Sequence, residues 1–299
     1  MQAHSHALVL VAPPGKLGPG DLAAVADHVK AGGAATASDW TVLSEGEAAE
    51  LLCTPRPDTL KRAAEALTDR PVDIALVPLP NRRKRLLIAD MDSTMIGQEC
   101  IDELADFAGL KAEVAVITER AMRGELDFEA ALRERVAMLS GLPAETIART
   151  YEERITFTPG GRTLVATMRA SGGYAALVSG GFTAFTERVA AALGFDEHRA
   201  NTLIVEDGQL AGTVAQPILG REAKLARLEA MCAERNIALE DALAVGDGAN
   251  DLAMIGAAGL GVAFRAKPAT AAAADAAITH GDLTALLFLQ GYRRDEFTG

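Results

Sequence analysis

Residues 85–96 read RLLIADMDSTMI, and the way this stretch is read decides the fold. Leu86 to Ala89 is a short apolar run without polar alternation, the pattern of a strand buried on both faces of a parallel sheet. Asp90 and Asp92 follow on either side of Met91, so both carboxylates stand at the strand's carboxyl end. Downstream, YAALVSG, DALAVGD, LGVAF and AAITH repeat the short apolar run between helical stretches. The spacing predicts an α/β unit with a Rossmann-like parallel sheet from residue 85 onward. A long, charged, helical insertion, roughly residues 99–170, is expected between the first two strands, and TLIVEDGQLAGTV reads as an added hairpin turning at Asp207-Gly208.

The first eighty residues follow another rhythm. ALVLVA, GDLAAVADHVKAGG, ASDWTVL, EAAELLC, PDTLKRAAEALTD and VDIALVPL read strand, helix, strand, strand, helix, strand, a ferredoxin-like α+β order. The charged, proline-bounded PLPNRRKR closes it, which places a domain boundary there and gives domains 1–84 and 85–299.

A length of 299 residues suits two compact units. Lys and Arg number 29 against 41 Asp and Glu, a formal charge of −12 with no long run of like charge, which argues against a nucleic-acid surface. An acidic chain that binds an anion needs a local metal or a few aimed cations to overcome its own field. The start, MQAHSHALVLVAPPG, lacks the basic region of a signal peptide, and no stretch has the length and apolarity to span a membrane, so a soluble cytoplasmic protein is expected. Cys53, Cys100 and Cys232 are scattered and odd in number, which suits free core thiols.

In open parallel sheets the site forms at the carboxyl ends of the strands, where Asp90, Ser179 and Asp247 all fall. A strand-end carboxylate can attack phosphorus and form an aspartyl-phosphate. A second carboxylate two positions on can protonate the leaving oxygen and later take a proton from water. Asp90 and Asp92 suit those roles in that order, and a magnesium ion held by oxygen ligands would relieve their repulsion of a phosphate, with Asp247 and Asp251 of VGDGAND as further ligands. Taken alone, Asp-X-Asp also suits a solvated turn. VSGG lets backbone N–H groups and the Ser179 hydroxyl approach an anion, and Lys224 offers a cation, though each by itself fits an ordinary turn or helix residue.

Together and in order, DMDST, VSGG, Lys224 and GDGAND resemble the four motifs of the haloacid dehalogenase (HAD) superfamily of phosphatases. Within it, the chain from about residue 85 onward is similar to the phosphoserine phosphatases. The resemblance implies a HAD core, a mobile helical cap inserted after the first core strand, a Mg2+ cofactor, and hydrolysis of O-phospho-L-serine to L-serine and phosphate, the last step of serine biosynthesis. It makes Asp90 the nucleophile and Asp92 the acid/base. Asp90, the Asp92 carbonyl and Asp247 become metal ligands with Asp251 in support, and Ser179, Gly180, Lys224 and Asn250 become substrate contacts.

Helix geometry in LDFEAALRERVAML puts Phe128, Leu132, Val136 and Leu139 on one apolar face, with Arg135 along it and Arg133 and Glu134 turned away. A guanidinium on such a stripe meets an anion or snorkels to the edge, and geometry leaves both open. The resemblance matches Arg135 to a carboxylate-binding arginine, Glu99 to an amine-binding glutamate, and Met122 and Phe128 to apolar residues that close over the ligand. Glu99 alone reads as a helix-start acid. A cation and an anion around a phosphate site describe a zwitterionic phospho-amino acid. The rivals are phosphohomoserine, phosphothreonine or phosphoethanolamine, or a serine-sensing regulatory protein with a vestigial core, against which the intact Asp90, Asp92, Lys224 and Asp247 argue.

The N-terminal order and PGDLAAVADHVKAGG resemble ACT domains, which often bind amino acids. The Asp-Arg that frequently precedes the turn in that family is Leu17-Gly18 here. A dimerisation or folding module is therefore the preferred reading, with a homodimer through this domain among the expectations.

Overall fold

Ala7 to Leu10 are fully buried because their strand is covered on both faces, which explains why its sequence is a continuous apolar run. The computed structural model describes residues 4–122 and 125–299, with 119, 121 and 122 described by their backbone alone. The N-terminal part comprises β1 (His6–Val11), α1 (Pro19–Ala31), β2 (Ala35–Thr36), β3 (Thr41–Ser44), β4 (Ala48–Thr54), α2 (Thr59–Ala66) and β5 (Asp73–Pro78). The strands run β2-β4-β1-β5 with β3 also on β4, and every pairing is antiparallel. ASDWTVL, read above as one strand, breaks at a bend where the Ser38 hydroxyl donates to the Asp39 carboxylate (2.6 Å), leaving β2 and β3 on either side. Proline at the first position of α1 and the Asp21 carboxylate accepting the Gly18 N–H (2.9 Å) start that helix.

The remainder begins with β6 (Leu86–Ala89). Next come α3 (Cys100–Phe107), α4 (Lys111–Met122), α5 (Phe128–Ala137), α6 (Glu145–Arg154) and α7 (Gly161–Ala170). They are followed by β7 (Tyr174–Phe182), α8 (Thr183–Leu193), β8 (Glu197–Asn201), β9 (Leu203–Glu206) and β10 (Gln209–Val214). The chain ends with α9 (Arg221–Arg235), β11 (Ala242–Gly246), α10 (Leu252–Ala257), β12 (Leu260–Phe264), α11 (Pro268–Ala273), β13 (Ala276–Ile278) and α12 (Ala285–Leu289). The expected parallel sheet is present, in the order β13-β12-β11-β6-β7-β8. Leu86 and Ile88 of β6 pack with Leu228, Met231 and Met254 on one face, while Leu87 and Ala89 pack with Leu164, Phe185 and α12 on the other. The sequence expected five strands; β8 is the sixth, an edge strand whose residues EHRAN are too polar to announce it.

Helices α3 to α6 form the insertion, and α7 packs on β7 and α8. The two chain segments entering and leaving the insertion bridge at Ile96 and Phe157, and the Gly97 N–H donates to the Thr156 carbonyl (3.0 Å). The β9–β10 hairpin turns at Asp207-Gly208, both at positive φ (48° and 77°), and reaches back to the insertion. Gly141 N–H donates to Leu210 O (2.9 Å), Leu210 N–H to Leu142 O (2.8 Å) and Ala144 N–H to Gly208 O (2.9 Å). Among the described residues, no helix is long and apolar enough to cross a membrane.

Candidate active site

β6 ends because the chain after Ala89 carries carboxylates that an all-apolar sheet interior cannot hold. The Asp90 N–H still bonds the Val245 carbonyl of β11 (3.0 Å), so the Asp90 carboxylate, 3% exposed, is held at the sheet's carboxyl edge. It accepts the Met91 N–H (2.7 Å) as residues 91–95 wind into a single wide π-type turn. Within that turn Asp92 is extended and Ser93 is left-handed (φ 55°), a conformation that a non-glycine residue adopts at a cost. Buried Met91 and Met95 hold the turn from below. The result aims Asp92 back beside Asp90, with its Oδ1 3.4 Å from the Cys100 N–H, and the Ser93 hydroxyl donates to Glu99 Oε1 (2.7 Å).

Neighbouring strands deliver the rest. In β7, where the pairing with β8 shifts register after Val178, Ser179 is buried and its Oγ accepts the Gly181 N–H (2.9 Å). A Cβ on Gly181 would stand 2.7 Å from Asp92 Oδ2, so only glycine lets the β7 backbone come so close. Beyond β11, Asp247, Asp90 and Asp251 bring one oxygen each to within 4.8 Å of one another. Lys224, 2% exposed on α9, reaches Asp90 Oδ1 (2.7 Å) and Asp251 Oδ1 (2.6 Å), and Asp251 Oδ2 accepts the Gly248 N–H (3.1 Å). Such a crowd of carboxylates resists ionisation. Burial, then the Asp90 charge, pushes Asp251 up to about 7 although Lys224 pulls the other way. Burial and Asp90 likewise raise Asp247, while burial and then Glu99 raise Asp92 well above the ordinary carboxylate value. Burial raises Glu99 too, against the Ser93 hydrogen bond.

Helix α5 starts with Asp127, whose carboxylate caps the Ala130 N–H (2.7 Å), and this sets its rotation. Leu132, Val136 and Leu139 pack inward, Glu134 pairs with Arg120 (2.8 Å) and Arg133 with Glu129 (3.1 Å). Arg135 is left pointing along the apolar face into a cavity of about 600 Å³ between insertion and sheet. Among the described residues it has no carboxylate within ion-pair distance; burial lowers its affinity for the proton, and Asp102, Glu99 and Asp92 raise it. The cavity brings together Asp90, Asp92, Glu99, Phe128, Arg135, Ser179, Gly180, Asp247 and Asn250 from the sequence reading. Lys224 and Asp251 lie just behind its wall, and the Met122 side chain lies outside the described residues. The sequence reading missed Asp102, Thr118, Arg221 and Lys267, which also line the cavity. Asp102, three residues past Glu99 on one helix face, was within reach of the same helical argument, whereas nothing local marks the other three.

A sheet-edge carboxylate pair, an acidic cluster and a paired buried lysine define a class of hydrolase. The haloacid dehalogenase-like hydrolase family model matches residues 87–256, and the chain belongs to that family. Phosphoserine phosphatase of Streptomyces coelicolor is 45% identical over 227 residues, 75% of this chain and 55% of that protein, and that of Albidiferax ferrireducens is 50% identical over 210 residues, 69% and 89% respectively. The match thus spans only about half the length of the Streptomyces relative. A probable phosphoserine phosphatase of Vibrio cholerae superposes with a TM-score of 0.79 at 32% identity, covering 96% of this chain and 86% of that one.

Proposed function

We propose that the chain hydrolyses O-phospho-L-serine to L-serine and phosphate through an aspartyl-phosphate on Asp90, as the last step of serine biosynthesis. One observation carries the reading: Glu99 and Arg135, of opposite charge, line the same cavity as Asp90 and Asp92, so a phospho-amino acid can set its phosphorus against Asp90 while its amine and carboxylate meet the other two. Asp90 attacks phosphorus in line with the seryl oxygen. Asp92, whose carboxyl burial and then Glu99 raise well above the ordinary value, gives its proton to that oxygen and then takes one from the water that opens the aspartyl-phosphate. Ser179, Gly180 and Asn250 offer hydrogen bonds to the phosphate, Lys224 offsets charge behind Asp90, and Phe128 closes the apolar side. The relatives bearing the name phosphoserine phosphatase support this assignment.

The donor set of Asp90, Asp247 and Asp251 is all oxygen, which fits Mg2+, with the Asp92 carbonyl as a further ligand. When bound, the ion offsets the repulsion between phosphate and carboxylates. The antiparallel order β2-β4-β1-β5 supports reading residues 1–84 as a ferredoxin-like, ACT-like domain, with 85–299 as the phosphatase domain and the cap within roughly 99–170, formed by α3 to α6 while α7 packs on the sheet. We read that domain as a dimerisation or folding module, and the free, buried Cys53, Cys100 and Cys232 suit a reducing cytoplasm.

Phosphate release from phosphoserine, phosphothreonine and phosphoethanolamine, with magnesium and with chelator, tests the reading. Phosphoserine should be the best substrate, activity should vanish with chelator and return with magnesium, and Asp90→Asn should abolish both turnover and the acid-labile phosphoenzyme. Equal rates on phosphoethanolamine, which has no carboxylate, would refute the role of Arg135; turnover by Asp90→Asn would place the nucleophile elsewhere.

A further inference from the structure

The proposed substrate is a phosphate dianion, and carboxylates outnumber cations around its destination. The chain carries a net −12, and Asp90, Asp92, Glu99, Asp102 and Asp247 line the cavity itself. The buried cation Lys224 is already engaged by Asp90 and Asp251, so its field outside the site is largely cancelled. Arg135 lies inside, part-buried and facing Asp102 and Glu99. Among the described residues two cavity-lining cations remain, Arg221 and Lys267, both exposed and with no described carboxylate within ion-pair distance.

Their backbones, unlike their side chains, are anchored to the site. The segment leading to Arg221 is tied to the phosphate turn by Asn201, whose Nδ2 donates to Gly180 O (2.8 Å) and whose Oδ1 accepts the Leu219 N–H (2.7 Å). Lys267 is fixed beside the acidic cluster, its N–H donating to the Asp247 carbonyl (3.2 Å). One cation therefore enters from the β7 side of the sheet edge and the other from the β12 side, each on an anchored backbone with its side chain exposed. We propose that Arg221 and Lys267 are a capture pair that draws the substrate's phosphate dianion to the mouth of the cavity and hands it past the carboxylates to the Ser179–Gly180 turn. The proposal rests on the phosphomonoesterase reading and adds to it the residues that let an acidic protein admit its substrate. A cleft lined by aimed charge raises capture of an opposite charge by about ten- to a thousandfold, and salt removes the gain.

The test is kcat/KM for phosphoserine, at saturating magnesium, of the Arg221→Gln/Lys267→Gln double variant against the parent. It should fall about tenfold near 0.01 M salt, where the Debye length is about 30 Å, and differ by about twofold or less near 1 M, where it is about 3 Å. Arg221→Lys/Lys267→Arg should keep both the rate and the salt slope. A loss equal at both salt concentrations, or a parent kcat/KM that ignores salt, overturns the capture role while leaving the function intact. Binding of inorganic phosphate, followed by calorimetry in the same two salts, checks the pair without turnover: affinity should drop in the Gln variant at low salt only, and unchanged affinity refutes the pair. A parent that releases phosphate from no phosphomonoester instead refutes the function on which the pair depends.

Discussion

Lys224 shows what single residues do in this site. Its ammonium bonds Asp90 and Asp251 at once, so two buried carboxylates share one cation, and the like-charge strain left over appears as the raised Asp251 and Asp247. The identity of Lys224 was legible from its place among the motifs, but not this double pairing, because a motif records residue types and not which oxygen meets which nitrogen. Arg135 is the opposite case. Its address followed from helical spacing alone, since seven residues from Phe128 is two turns, and the structure leaves its guanidinium facing the cavity. If it grips the substrate carboxylate, Arg135→Ala removes charged hydrogen bonds worth about 1.5–3 kcal/mol, raising KM for phosphoserine roughly ten- to a hundredfold. KM for an aryl phosphate, which has no carboxylate, should move by less than about threefold. Parallel losses on both substrates, measured by initial rates, would show that Arg135 serves the cap's packing.

At the scale of elements, the strands with pure apolar runs could be read from sequence because burial on both sides leaves no room for polar residues. β8 could not, because a sheet edge tolerates polar side chains and its stability comes from a neighbour: Glu197 on β8 takes Arg227 of α9 in two hydrogen bonds (2.7 and 2.6 Å), with Arg199 adding a third (2.7 Å). Burial alone would raise Glu197, yet the two guanidiniums more than offset it and hold the carboxyl at about 2, below its usual 4.5. Because the folded pKa lies below the unfolded one, protons bind the unfolded chain first. The stabilisation is complete above the unfolded pKa of 4.5 and is lost as pH falls toward about 2. Urea unfolding of Glu197→Gln should show lower stability near neutrality and a flatter acid limb across that window. Wild-type and variant curves that run parallel through it would mean that the pair does not hold the sheet edge.

Across the whole molecule, the sequence shows a change of rhythm at PLPNRRKR, but nothing in it tells how tightly the segments on either side are joined. β1 buries Leu8 and Leu10 under α1 and α2, and turns Ala7, Val9 and Val11 toward α12 and the larger core, so one strand belongs to two cores. Three residues reinforce that seam: Arg82 pairs with Glu50 (2.6 Å) and donates to the Leu289 carbonyl (2.8 Å), Arg294 forks onto Glu47 (2.8 and 2.6 Å), and the Lys84 N–H donates to Gln290 (2.9 Å). Asp73 of β5, 5% exposed, closes the seam by accepting the successive N–H groups of Thr279, His280 and Gly281 just beyond β13 (2.8 to 3.1 Å). A carboxylate in such a nest of donors is a strong join, and its loss strands N–H groups at the seam. The two parts should therefore unfold as one cooperative unit, and Asp73→Ala should lower stability by about 2–3 kcal/mol while leaving kcat near the parent value, since Asp73 does not touch the cavity. Calorimetry of parent and variant decides it. A parent that melts in two separate transitions, the first confined to residues 1–84, would show that β1 and Asp73 dock the parts without coupling them.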